Sequence, residues 1–75
     1  MNTENIKNII NDDDFKEVVS GLRTRYINNF VNSEDYDADQ RETAYRNLKV
    51  LDELVSELES IAITGEIKAK ALKIL

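Results

Sequence analysis

Three aspartates at alternate positions, Asp35, Asp37 and Asp39, are the nearest this sequence comes to a set of ligands. They match the first three positions of a calcium loop, where alternate oxygens wrap a hard cation. Counted from Asp35, however, the sixth position is Gln40 where the loop needs glycine to turn, and the twelfth is Arg46 where it needs a bidentate acid. The spacing therefore reads as a solvated turn leading into a helix cap, and no metal or other cofactor is expected.

Catalytic chemistry has little to draw on. Cys and His are both absent, which removes thiolate and imidazole catalysis, disulfides and thiolate zinc sites. Glu53 and Glu57 lie one turn apart, as do Asp52 and Ser56, but carboxylates at that spacing describe the wet face of an amphipathic helix. A di-metal bundle site would need a Glu-x-x-His element, which a chain without histidine cannot supply. No enzyme is expected.

Arg23, Arg25, Arg41 and Arg46 with Tyr26 and Tyr45 have the residue types of a nucleic-acid surface with stacking aromatics. The acids Asp35, Asp37, Asp39, Glu42, Asp52 and Glu53 share the same region. Arg41 and Arg46 are thus expected to pair with acids, across a hairpin or to a second chain, and the tyrosines to sit at the core edge with wet hydroxyls. Fifteen acidic residues against ten basic ones give a net charge of −5, which opposes attraction to phosphate backbones and anionic membranes. Spaced carboxylates on a rigid helix can instead imitate phosphates, so an acidic inhibitor or DNA mimic occupying a basic groove is the alternative function.

Seventy-five residues make one domain, 1–75, with a thin core. Without disulfides or metal, association is the remaining source of stability. Residues 1–14 show no signal peptide and no apolar run approaches the roughly 20 residues of a membrane span, so a soluble, cytoplasmic protein is expected.

These residues need helices to position them. Ala44, Leu48, Leu51, Val55, Leu58 and Ala62 alternate four and three apart, the register of a coiled-coil seam, and Tyr45, Leu54 and Ile61 are expected to widen it on one flank into a second contact surface. The long helix carrying this seam runs from Ala38 to about Ile63, introduced by Asp37 and Gln40 as a capping box. Before it, Phe15, Val18, Val19, Leu22, Tyr26, Ile27 and Phe30 mark a helix over about 14–31, with Asn32 to Asp37 as a turn short enough for an antiparallel hairpin. Its cap is Asn11, with Ile10 and Phe15 as a hydrophobic staple, or Asp14. Gly21 marks a close backbone approach inside it. Thr3 caps a short first helix through Asn11. Gly65 stops the long helix in a left-handed cap, and Glu66 to Leu75 forms a last short helix, apolar at Ile67, Ala71, Ile74 and Leu75 and basic at Lys68, Lys70 and Lys73. The longer helix overhangs its partner, and this tail is the nearest cover for Ile61, Ala62 and Ile63.

The segment Arg41-Glu42-Thr43-Ala44-Tyr45-Arg46-Asn47-Leu48-Lys49-Val50-Leu51-Asp52-Glu53-Leu54, continuing through Glu57-Leu58 to Thr64-Gly65-Glu66, resembles small helical-hairpin proteins of tailed bacteriophages. The shared pattern over about 14–66 is a polar turn, an Ala-Tyr pair, a Leu-Asp-Glu-Leu run and a terminal Gly. The resemblance implies a virion, packaging or assembly component in the host cytoplasm or the virion, with no catalytic residues.

The expectation is an all-α antiparallel helical hairpin with short helices at both termini, acting as a non-enzymatic assembly module. It self-associates as a homo-oligomer or docks on a larger protein through Leu48, Leu51, Leu54, Val55, Leu58 and Ile61, with no direct nucleic acid and no membrane as partner.

Overall fold

The structure is a computed structural model that describes residues 1–74, with side chains described for 1–65. It is all-α, with three helices in chain order: α1 (Thr3–Asn11), α2 (Asp13–Val31) and α3 (Ala38–Ile74). The 37 residues of α3 reach about 55 Å at a helical rise of 1.5 Å per residue. They form the spine of a rod measuring 61 × 21 × 16 Å.

Each helix starts where a short polar side chain satisfies free backbone donors. Asn2 caps α1, its Oδ1 accepting from the backbone N–H of Glu4 at 3.1 Å and Asn5 at 3.2 Å. Thr3 is therefore the first helical residue and not the cap. Neither Asn11 nor Asp14 caps α2: Asp12, one of the two residues between them, accepts from the Phe15 N–H at 2.8 Å. Asp12 is extended (φ −71°, ψ 128°) and also donates its own N–H to the Ile9 carbonyl, so one residue closes α1 and opens α2. With the cap moved, Ile10 and Phe15 lose the staple positions, yet both line one groove with Val19 and Val55 where the three helices meet. Asp37 does cap α3, accepting from the Gln40 N–H at 3.0 Å. The return half of the capping box is missing, because Gln40 Nε2 reaches across to the Asn29 carbonyl at 3.3 Å and ties α3 to α2 instead.

The chain reverses through residues 32–37, so α2 lies antiparallel on α3, and α1 continues along α3 beyond α2. Gly65 meets Thr3 at the far end. Residues 38–65 of α3 span about 42 Å, as do α1 and α2 placed end to end. The seam faces them: Ala44 is 3% exposed, Leu51 9% and Ala62 5%, with Leu48, Val55 and Leu58 half-buried between. Thus Ile61, Ala62 and Ile63 are flanked by α1 and not by the tail; Lys7, Ile10 and Asn11 of α1 line a groove with Ala62 and Ile63.

Two expectations at the C-terminal end are overturned. Gly65 neither stops α3 nor adopts a left-handed conformation, and the backbone stays helical through Ile74, so there is no separate last helix. The glycine serves tertiary packing: a Cβ built there would stand 2.7 Å from Thr3 Cβ, inside any real contact. The apolar and lysine positions expected on the tail, Ile67 to Leu75, lie outside the described side chains. Gly21 is the converse case, since a Cβ there would meet nothing within 4 Å and no backbone approaches it.

The two glycines make opposite predictions in urea unfolding. Gly21→Ala should stabilise by about 1 kcal/mol through helix propensity alone. Gly65→Ala should destabilise by about 1–3 kcal/mol by overpacking against Thr3. Thr3→Gly in the Gly65→Ala background should recover most of that loss.

Candidate functional site

The six positions expected to form a protein interface fall into two groups. Leu48, Leu51, Val55 and Leu58 belong to the stripe that α1 and α2 cover within the monomer. Leu54 remains 55% exposed and Ile61 is half-buried at the edge of α1. The seam thus supplies the monomer's own core, and what is left for a partner is the pair of flanks beside it.

Those flanks are distinct. Tyr45 and Leu54 are nine residues apart, two and a half helical turns, so they project to opposite sides of α3 and cannot widen it on one side as expected. Ile61, seven residues from Leu54, shares Leu54's side. There it lines a shallow groove with Met1, Thr3, Glu57, Ser60 and Thr64, a mixed polar and apolar surface. On the other flank Tyr45 joins Tyr26, Ile27, Phe30, Ala44 and Leu48 around a groove of about 150 Å³ with wholly apolar walls. Three of the chain's five aromatic residues meet there. Ile27, Phe30 and Tyr45 remain substantially exposed, and Lys49 stands over the Tyr45 ring with its Nζ 5.3 Å from the centroid. Ile27 and Phe30 were legible in the sequence only as hairpin core. The missed signal is that Val18 and Ile27, also nine residues apart, give α2 an apolar surface wider than one partner covers.

The polar groups near the turn hold the fold. The guanidinium of Arg41 donates from Nη1 to the Glu34 carbonyl at 2.7 Å and from Nη2 to the Asp35 carbonyl at 3.4 Å, so it clamps the 32–37 turn and, among the described residues, pairs with no carboxylate. Asp37 is engaged as the cap of α3. Among the described residues, no group of three or more acids is placed to hold a metal ion. Arg23 bridges the hairpin to Asp52 at 2.6 Å, and Arg46 pairs with Glu42 one turn earlier at 3.6 Å. Both pairs are solvent-exposed, where such contacts contribute less than about 1 kcal/mol. The grooves are open and shallow, and among the described residues no helix is long and apolar enough to cross a membrane.

The fold and these surfaces define an all-α protein whose distinguishing feature is apolar surface beside its own core. No family model, curated protein or solved structure matches the chain.

Burial separates the two leucines by consequence. Leu51→Ala should cost about 2–5 kcal/mol in chemical denaturation, whereas Leu54→Ala should cost less than about 1 kcal/mol. Equal costs would contradict the assignment of Leu51 to the covered stripe and Leu54 to the flank.

Proposed function

We propose that the protein is a non-enzymatic helical interaction module that completes its fold by self-association. The observation that carries this reading is surface area. The chain exposes 6067 Å² at a mass of 8.6 kDa, against about 4,700 Å² for a compact monomer of that mass. Its radius of gyration is 17.0 Å, where about 11 Å would be compact. The difference of about 1,400 Å² exceeds the roughly 800 Å² that each partner contributes to a standard interface. Elongation and the length of α3 past residue 65 account for part of that excess and require no partner, but among the described residues Ile27, Phe30, Tyr45 and Leu54 stay exposed beside only three buried ones, Ala44, Leu51 and Ala62.

The resemblance to small phage proteins supplies the setting, a virion, packaging or assembly component in which repeated copies join one another or a larger protein. An acidic decoy would need its carboxylates free to meet a basic groove. Several are engaged within the chain: Asp12 and Asp37 as caps, Asp52 with Arg23 and Glu42 with Arg46. The apolar flanks therefore carry the proposal in preference to the acids.

Self-association links stability to concentration by mass action. The midpoint of thermal unfolding should rise as the protein is concentrated from micromolar to hundreds of micromolar. A midpoint that does not move with concentration would refute self-association.

A further inference from the structure

We propose that Tyr36, at the tip of the hairpin, seats in the apolar groove of a second copy, while Tyr36 of that copy seats in the groove of the first. This names the contact for the self-association argued above and rests on that reading. The groove between Tyr26, Ile27, Phe30, Ala44, Tyr45 and Leu48 is about 150 Å³ and open to solvent, and its apolar, partly aromatic walls suit a planar ring laid against them. A six-membered aromatic ring is therefore the fitting occupant.

Tyr36 is such a ring without a place in its own chain. It is 87% exposed, and among the described residues it makes no hydrogen bond or ring contact. The turn that carries it is nonetheless held: the Asp37 N–H donates to the Glu34 carbonyl at 2.9 Å, and Arg41 clamps the carbonyls of Glu34 and Asp35. A ring presented on a fixed turn loses little conformational freedom on docking, which favours its use as an anchor.

The position of ring and groove sets the symmetry. Both lie at the loop end of the hairpin, so a two-fold axis there makes the exchange reciprocal and closed. Charge agrees with this arrangement. Asp35 and Asp37 flank Tyr36, and Lys49 stands beside the groove on Tyr45, so seating the tip brings acids of one copy towards the lysine of the other. The overlap would also draw in Phe30 and Val31, both exposed in the single chain.

The test is the molar mass of the full chain by light scattering across a dilution series. Wild type and Tyr36→Phe should show dimer mass, because the ring and not the hydroxyl fills the groove. Tyr36→Ala, at a side chain without partners in its own fold, should weaken the dimer at least tenfold with helical circular dichroism unchanged. Ile27→Glu should do the same from the groove side, and Leu54→Glu, on the opposite flank, should leave dimer mass intact. Dimer mass retained by both Tyr36→Ala and Ile27→Glu, or lost in Leu54→Glu alone, would overturn this contact while leaving self-association standing. A monomeric wild type at every concentration would overturn both.

Discussion

One packing arrangement supports everything else: a single apolar stripe on α3, about 42 Å long between residues 38 and 65, covered by two shorter helices laid end to end. Neither α1 nor α2 spans that stripe alone. At nine residues, α1 is too short to persist without tertiary contacts. The junction at Asp12 makes the series work, because one extended residue ends α1, starts α2 and keeps both against the same face of α3. Small residues then set how closely the helices approach: Ala44 beside Tyr26 and Phe30, Ala62 beside α1, and Gly65 against Thr3.

The same arrangement explains the exposed surface. Two helices in series cover a third as a single layer, which buries one stripe of α3 and leaves both sides of that stripe open. Among the described residues the buried set is accordingly Ala44, Leu51 and Ala62, only one of them large. The two sides differ in chemistry, with aromatic residues gathered near the turn on one flank and Ile61 in a groove of mixed polar and apolar residues on the other. Arg41 links these features, since it fixes the turn that positions α2 against α3 and also holds the tip on which Tyr36 is displayed.

Much of the architecture was legible in local pattern. The loss of apolar period over 32–37 and the capping power of Asp37 located the hairpin turn, and the alternation of four and three from Ala44 to Ala62 identified the stripe that is buried. A stripe read from sequence says which face is covered but not what covers it. That is why Leu48, Leu51, Val55 and Leu58 looked equally suited to a second copy and to the chain's own helices. Gly65 misled for a related reason: its role depends on Thr3, sixty-two positions earlier, and nothing local distinguishes a glycine that ends a helix from one that admits a neighbour. The cap of α2 fell among Asn11, Asp12, Asp13 and Asp14, all with side chains able to cap, and only the path of α1 along α3 selects Asp12. The opposite placement of Tyr45 and Leu54 was available from their nine-residue separation alone.

The central claim is that α1 folds back along α3 to complete the cover of its stripe, and a distance measurement tests it most directly. Because the chain has no cysteine, spin labels can be placed uniquely at Glu4→Cys and Thr64→Cys, both exposed positions beside the meeting of Thr3 and Gly65 that leave the Asn2 cap of α1 in place. Diluted into an excess of unlabelled protein, so that only pairs within one chain report, the labels should give a short and narrow distance distribution by double electron–electron resonance. A long, broad distribution would mean that α1 does not dock on α3, that the stripe beyond α2 is uncovered in the monomer, and that the account given for Gly65 and Ala62 is wrong.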